Sequence, residues 1–153
     1  MQLDGSFSIG ASTVTVWNAI RDPALMAQCV PGCETAEALG EGRYRAVVGA
    51  KIGPIKARFN LVIEVEEEVA PTRIRSKASG EEGSRASMLT SRNLLTLSEV
   101  TPDVTEVLWH ADVSITGRLG KYGLGLIKKR VKALSDQFVA NFTKRIEEGV
   151  AMS

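Results

Sequence analysis

The sequence has little histidine and cysteine, two residue types that often carry catalysis or bind metal. In 153 residues there are one histidine, His110, and two cysteines, Cys29 and Cys33. A structural zinc site takes four ligands, typically with two residues between paired cysteines, so a Cys-x-x-x-Cys segment with one distant histidine argues against a metal site. A redox pair is a second interpretation of the two cysteines, because Pro31-Gly32 offers a turn between them, and apolar packing is a third.

Long apolar runs and strong net charge are also missing. No run approaches the roughly 18–20 apolar residues that cross a bilayer, and the start MQLDGSFSIG lacks the features of a signal peptide. We therefore expect a cytoplasmic protein with reduced cysteines. Nineteen Lys and Arg against eighteen Asp and Glu give a net charge of +1, which predicts no general attraction to nucleic acid. No Gly-x-Ser-x-Gly, phosphate-binding or dinucleotide-binding fingerprint follows a predicted strand.

The length fits one domain over residues 1–153. Alternating apolar residues predict a strand over residues 2–9. Ser12 is a candidate cap for a helix with Val14, Trp17 and Ile20 on one side. Asp22-Pro23 is typical of the start of a second short helix, which we place through Cys29.

A strand-rich stretch follows, and one long helix ends the chain. Period-two alternation predicts strands over residues 43–52, 55–65 and 105–116. We also expect strands over 72–78 and, despite poor alternation, over 88–100, with a Gly and Glu loop over 79–84. From Leu124 to Ile146 apolar residues recur every three or four positions, which predicts an amphipathic helix of about six turns. The simplest packing is an α+β fold, in which a curved antiparallel sheet of six to seven strands wraps around that helix.

The apolar faces of the sheet and the last helix are the main indication of function. One helix about 10–12 Å across cannot fill such a sheet, so the remaining space is either collapsed or a ligand pocket. The residues that we expect to bind an apolar ligand are Met26, Val30, Phe59, Leu61, Trp109, Val113, Leu134, Phe138 and Phe142. Met26 and Val30 belong to a predicted mobile mouth beside the Cys29–Cys33 turn.

Charged residues near this helix suggest surface roles. Lys121, Lys128, Lys129 and Lys132 crowd its start, either as an ordinary solvated face or as a docking patch for anionic lipid or an acidic partner protein. His110 alternates with Trp109, so we expect it outside the pocket, where it cannot serve as a general base for a bound ligand.

Several segments are similar to a known family along almost the whole chain. They include Leu3-Asp4-Gly5-Ser6-Phe7, Cys29-Val30-Pro31-Gly32-Cys33-Glu34, Lys51-Ile52-Gly53-Pro54-Ile55-Lys56-Ala57-Arg58-Phe59, Trp109-His110-Ala111-Asp112-Val113 and Gly117-Arg118-Leu119. The sequence resembles the family of the carbon monoxide dehydrogenase G-subunit (CoxG), within the START and Bet v 1-like (SRPBCC) helix-grip superfamily. It departs from that family in the loop over residues 80–89. Many members carry a C-terminal tail thought to reach the membrane, and because the sequence ends at Ser153 we do not expect attachment through such a tail.

The resemblance implies an internal apolar cavity and an accessory role for molybdenum hydroxylases such as carbon monoxide dehydrogenase, in maturation or membrane recruitment. It implies binding of a lipid or quinone. From the residue patterns we expect no catalytic residue, no cofactor and no metal, and a peripheral contact with the inner face of the membrane is one option. Two alternatives are a ligand-free assembly factor that acts through its surface and a small helix-grip cyclase or hydrolase.

Overall fold

The computed structural model describes residues 1–83, 86–122 and 124–152 of the chain. In chain order the elements are β1 (Gln2–Ile9), α1 (Thr13–Ile20), α2 (Pro23–Cys29), β2 (Cys33–Gly40), β3 (Arg43–Ile52), β4 (Ile55–Val69), β5 (Arg73–Glu82), β6 (Ser87–Thr101), β7 (Val104–Gly117), a 3-10 helix (Leu119–Tyr122) and α3 (Leu124–Met152).

In the described residues, seven strands form one antiparallel sheet in the order β1-β7-β6-β5-β4-β3-β2. Strands β2 to β7 are joined as consecutive hairpins, and β1 is added beside β7, so β1 and β2 are the two edge strands. The sheet curves around α3, and α1 and α2 follow β1 along the chain. The predicted α+β architecture is confirmed.

The short helices begin where their capping residues predict. The Ser12 side chain accepts a hydrogen bond from the Thr15 N–H at 3.2 Å. Asp22 accepts from the N–H groups of Ala24 and Leu25 at 3.0 and 3.2 Å, with a proline at the first helical position. These bonds satisfy backbone donors that a helix leaves free at its start.

Two local predictions about the first half of the chain are wrong. Val14 does not belong to the buried side of α1, because it is 58% exposed while Val16 and Trp17 are buried. Sequence patterning also missed β2 (Cys33–Gly40), which is an edge strand with mostly exposed, small and acidic residues. Such residues have low strand propensity, and pairing with β3 overrides it.

The predicted loop over residues 79–84 also begins too early, because residues 79–82 continue β5. Gly80 lies so close to β4 that a Cβ atom would overlap the carbonyl oxygen of Asn60. The glycine therefore permits close strand approach here and does not mark a loop. Ser84 and Arg85, at the end of the predicted loop, lie outside the described residues.

The core consists of two end clusters, one at each end of the sheet's inner face. The first gathers α1, α2 and the C-terminal half of α3 around fully buried residues, and the second lies under the start of α3. The first cluster includes Ile9, Val16, Trp17, Cys29, Leu97, Val107, Phe142 and Ile146, and the second includes Ile52, Ala57, Phe59, Leu119 and Ile127. The backbone of α3 approaches β1 on one side and β3 on the other, and the central strands stand further back.

Candidate functional site

Short side chains line the middle of the sheet's inner face, between the two end clusters. Strand register places Ser76 opposite Asn93, Asn93 opposite Ala111, and Ala78 opposite Ser91, so these five residues share one face and form a central band. The Asn93 amide donates to the Ser76 and Ser91 hydroxyls at 3.5 and 3.3 Å. Every residue of the central band keeps partial exposure, although strands flank the band on both sides. The inner face is therefore not sealed by α3 at this point.

A groove of about 750 Å³ opens between β1 and α3. The two elements run in the same direction, because the Phe7 ring contacts Phe142 edge-on at a centroid distance of 6.5 Å and the Gly10 N–H donates to the Glu147 carboxylate at 2.7 Å. The groove is lined by Gln2, Leu3, Asp4, Gly5, Ser6, Phe7, Trp109, Lys128, Lys129, Val131, Lys132, Ser135, Asp136 and Val139. Lysines thus lie at the end where α3 starts, and Phe7 and Val139 lie at the other end.

Trp109 forms a wall of this groove, and its position depends on the glycine across from it. Gly5 of β1 is the register partner of Trp109, and a Cβ atom at Gly5 would lie 2.7 Å from the indole Nε1. The indole therefore lies against the bare backbone of the edge strand, where an aromatic ring covers a glycine that has no side chain to pack. Trp109 is followed on the inner face by Ala111, whose register partner is Leu3 of the groove, so the groove and the central band are adjacent.

Three exposed lysines line the groove at the start of α3, and we call Lys128, Lys129 and Lys132 the lysine rim. The Lys132 ammonium lies 3.0 Å from the Asp136 carboxylate, with both side chains more than two-thirds exposed. Among the described residues Lys128 and Lys129 have no carboxylate within ion-pair distance. The groove therefore carries more positive than negative charge at this end. The side chain of Lys121, the fourth predicted docking residue, lies outside the described part of the chain.

The predicted ligand-binding residues divide between the groove and the core. Trp109 lines the groove. Phe59 and Leu61 belong to the second end cluster, while Met26, Phe138 and Phe142 belong to the first, where the last two rings stack at 5.4 Å. Val30, Val113 and Leu134 are half-buried. Contact between these residues and a ligand stays a prediction.

Residue patterns missed most of the groove. The β1 side is contributed by Leu3 and Phe7, and the helix side by Val131, Ser135 and Val139. The helix residues recur at spacings of four along one stripe of α3, next to the stripe that faces the core. That second stripe, together with Gly5 between Leu3 and Phe7, is the sequence feature from which the groove could have been predicted.

Neither cysteine is arranged as a reactive thiol. Cys29 is fully buried, and its carbonyl oxygen accepts from the Asn141 amide at 3.1 Å. The Cys33 thiol donates to the Thr35 carbonyl oxygen at 3.3 Å. Burial raises the pKa of Cys29 against a smaller opposing effect of Arg145, and burial likewise raises the pKa of Cys33. Both groups therefore stay protonated thiols near neutral pH, which favours packing over redox chemistry.

His110 is exposed on the outer face of the sheet, opposite Asp4 in register, as its alternation with Trp109 predicts. Within residues 1–83, 86–122 and 124–152, no group of three or more histidines, cysteines or carboxylates is placed to hold a metal ion. Over the same residues, no helix combines the length and apolar character needed to cross a membrane.

A buried carboxylate holds the start of the helical C-terminal region against the sheet. Glu82 is 2% exposed and accepts hydrogen bonds from the Arg118 guanidinium, one of them from Nε at 3.0 Å. The Ser87 hydroxyl accepts the Leu119 N–H at 3.1 Å. The bond from Arg118 lowers the pKa of Glu82 against the opposing effect of burial, and Ser87 lowers it further. The carboxylate therefore stays ionised to lower pH than an ordinary glutamate does.

Several solved structures share this fold over nearly the whole chain. A conserved protein from Geobacillus kaustophilus is 22% identical with a TM-score of 0.89, covering 97% of this chain and 96% of its own. A START superfamily protein from Mycobacterium smegmatis is 15% identical, with a TM-score of 0.75 and coverages of 96% and 97%. The Zhui aromatase/cyclase from Streptomyces sp. R1128 is 13% identical, with a TM-score of 0.73 and coverages of 98% and 95%. At these identities the likeness shows the fold alone.

The sequence itself matches a family model over most of its length. No curated protein matches the chain significantly. The family model of the carbon monoxide dehydrogenase G-subunit (CoxG), however, matches residues 5–147. That span includes Gly5, Trp109 and the whole helical side of the groove, and it confirms the resemblance carried by the cysteine and Ile-Gly-Pro-Ile segments. The chain therefore belongs to the CoxG family, that of the carbon monoxide dehydrogenase G-subunit.

Proposed function

We propose that the protein is a non-enzymatic accessory protein that holds an apolar molecule, a lipid or a quinone, in the groove between β1 and α3. The groove is the observation that carries the proposal, because its volume of about 750 Å³ falls in the range of about 300–1,000 Å³ typical of small-molecule sites. Leu3, Phe7, Trp109 and the two valines of α3 supply apolar walls. Burial of apolar ligand surface against them contributes about 25 cal/mol per Å² before the losses of association.

The proposed site extends inward past Trp109. The groove borders the central band, because Leu3 of the groove is the register partner of Ala111, and the predicted residues Val113, Leu134 and Phe138 are partly exposed. A ligand longer than the groove would pass beside the indole into the space between the two end clusters. The short side chains of Ala78 and Ala111 leave room there.

A binding role fits the groove better than catalysis does. Acid–base or nucleophilic catalysis needs a positioned proton acceptor, acid or nucleophile against the substrate. The ionisable groups that line the groove are lysines and aspartates at its rim, and His110 lies on the other face of the sheet. The aromatase/cyclase among the structural neighbours keeps a small helix-grip cyclase as the rival hypothesis.

The partner that we propose is a molybdenum hydroxylase such as carbon monoxide dehydrogenase, which the protein would serve in maturation or membrane recruitment. Family membership supports this partner. A docking role for Lys121, Lys128, Lys129 and Lys132 stays a prediction. A surface contact there would place the recipient next to the groove mouth.

Organic extraction of the purified protein followed by mass spectrometry tests the binding function. We expect a lipid or quinone close to one molecule per chain, or uptake of an added apolar fluorophore by the extracted protein. A folded protein that carries no ligand and takes up no apolar probe would contradict the proposal and leave the ligand-free assembly factor. Chemical turnover of a bound molecule would favour the cyclase.

A pair of variants on α3 locates the site. Ser135 lines the groove, whereas Ala133 is exposed two residues away and is absent from the groove lining. We expect Ser135→Phe to fill the groove and weaken probe binding at least tenfold, and Ala133→Phe to leave it unchanged. Equal binding by the two variants would move the site away from this groove.

A further inference from the structure

We propose that the groove selects a single-chain amphiphile with an anionic head, and that the lysine rim holds that head. This inference rests on the proposed apolar-ligand function and adds the chemical class of the ligand. It follows from the unequal ends of the groove. Apolar side chains line its length, and cationic side chains gather at one end only.

The polarity of the groove runs along its axis. At the start of α3 it is bordered by the lysine rim and Gln2, and near the other end by Val139 and Phe7. From residue 128 to residue 139 the helix rises about 16 Å, which accommodates an extended alkyl chain of fatty-acid length. An amphiphile that lies parallel to α3 would place its tail against Phe7 and its head between Lys128 and Lys132.

The charges near the head favour an anion. Lys132 has Asp136 beside it, and a pair this exposed contributes little stability, so Lys132 can turn to a ligand at small cost. Lys128 and Lys129 make no ion pair among the described residues. Asp4, the other carboxylate at this end, pairs in register with His110 and shares the outer face of the sheet with it. Three lysines against the carboxylates of Asp4 and Asp136 therefore leave a net positive charge on the groove lining at this end.

Two ligands that differ only at the head provide the test. Oleate and oleyl alcohol are titrated below their aggregation limits into the Trp17→Phe protein, in which Trp109 at the groove is the reporter. Calorimetry on the unmodified protein provides a second measurement that needs no variant. We expect oleate to bind at least threefold more tightly than the alcohol, and added salt to reduce the difference, because exposed charge pairs are screened.

The lysine rim is tested with a matched control on the same helix. We expect Lys128→Gln combined with Lys129→Gln to weaken oleate binding about three- to tenfold without changing oleyl alcohol binding. Lys144→Gln, an exposed position of α3 outside the groove lining, should bind both ligands as the unmodified protein does.

The outcomes separate this inference from the function on which it rests. Equal binding of the two ligands would overturn the anionic head and keep the apolar carrier, whereas binding of neither would overturn both. Binding to vesicles of phosphatidylcholine, with and without phosphatidylglycerol, tests whether the lysine rim contacts a membrane surface instead of a bound ligand. If the double variant loses binding to the anionic vesicles but keeps its affinity for monomeric oleate, the lysine rim is a membrane contact and the inference is wrong.

Discussion

Replacing Gly5 by alanine tests whether the indole of Trp109 lies against the edge strand as a wall of the groove. An added Cβ at Gly5 would lie 2.7, 2.8 and 2.9 Å from the indole atoms Nε1, Cε2 and Cζ2. All three distances are shorter than carbon contacts of about 3.5–4.0 Å allow. The indole is a rigid bicycle, so it must move as a unit, away from β1.

The magnitude follows from two opposing effects. Alanine in place of a strand glycine stabilises a protein by about 0.4–1 kcal/mol where the backbone tolerates it, because the unfolded chain loses freedom. Overpacking against a rigid neighbour costs about 1–3 kcal/mol. We therefore expect Gly5→Ala to lower the free energy of unfolding by about 0.5–2 kcal/mol, and the melting temperature by a few degrees for a domain of this size.

A double-mutant cycle measured by denaturant unfolding isolates the contact. In a Trp109→Leu background the indole is absent, so we expect Gly5→Ala to become neutral or stabilising, with a coupling of about 1–3 kcal/mol. Gly149→Ala in α3 is the control, because a Cβ there meets no atom within 4 Å and helix propensity predicts a gain of up to about 1 kcal/mol. The reasoning is refuted if Gly5→Ala costs the same in both backgrounds.

Three further predictions concern the rest of the fold. Because the folded-state pKa of Glu82 is lowered, its stabilising contribution is complete above the ordinary glutamate pKa of about 4.3 and is lost as pH falls through the folded value. Glu82→Gln should therefore flatten the acid limb of a plot of unfolding free energy against pH, and an unchanged limb would contradict this. Ser12→Ala should lower the unfolding free energy by about 1 kcal/mol, measured by urea denaturation. Both thiols should react slowly with a disulfide reagent at pH 7, with buried Cys29 slower than Cys33, and fast labelling of Cys29 in the folded protein would be inconsistent with its burial.

Local chemistry made much of the fold predictable. Ser12 and Asp22 mark helix starts because a side-chain oxygen satisfies free backbone N–H groups wherever such a residue precedes a helix. Residues 43–52 form β3 as predicted. One side of this strand faces the core, so apolar residues alternate with polar ones along its sequence. The wrapping of an antiparallel sheet around α3 followed from the consecutive strands and the one large apolar helical face, whereas the place of β1 beside β7 was not predicted.

The groove was not predictable in the same way, because it depends on distances between elements that are remote in sequence. The apolar stripe of α3 was interpreted as one binding surface, yet Phe142 is buried in an end cluster whereas Val139 lines the groove. Positions on adjacent stripes of one helix differ in sequence by a few residues only. Which stripe meets β1 is set by the anchoring of α3 at Phe7 and Gly10, more than 130 residues away for the Gly10–Glu147 bond.

The separation of packing from binding space explains how this domain keeps an unsealed interior. Truncating a packed leucine costs about 2.7–5 kcal/mol, because its neighbours lose contacts that they were shaped to make. Across the central band the side chains are short, and Asn93 is hydrogen-bonded to the two serines beside it. An empty space above the band therefore costs little packing energy and leaves the Asn93 amide with hydrogen-bond partners. Stability instead comes from the end clusters, where Phe142, Leu119 and Ile127 are almost fully buried. Binding of the proposed ligand would then add to a fold that is already complete, and a ligand at 100 times its Kd should stabilise it by about 2.7 kcal/mol. We expect Ala111→Leu to weaken ligand binding, because the added side chain fills the central band. If the band were instead a packing defect, Ala111→Leu would raise the free energy of unfolding by about the same 2.7 kcal/mol and leave ligand affinity unchanged.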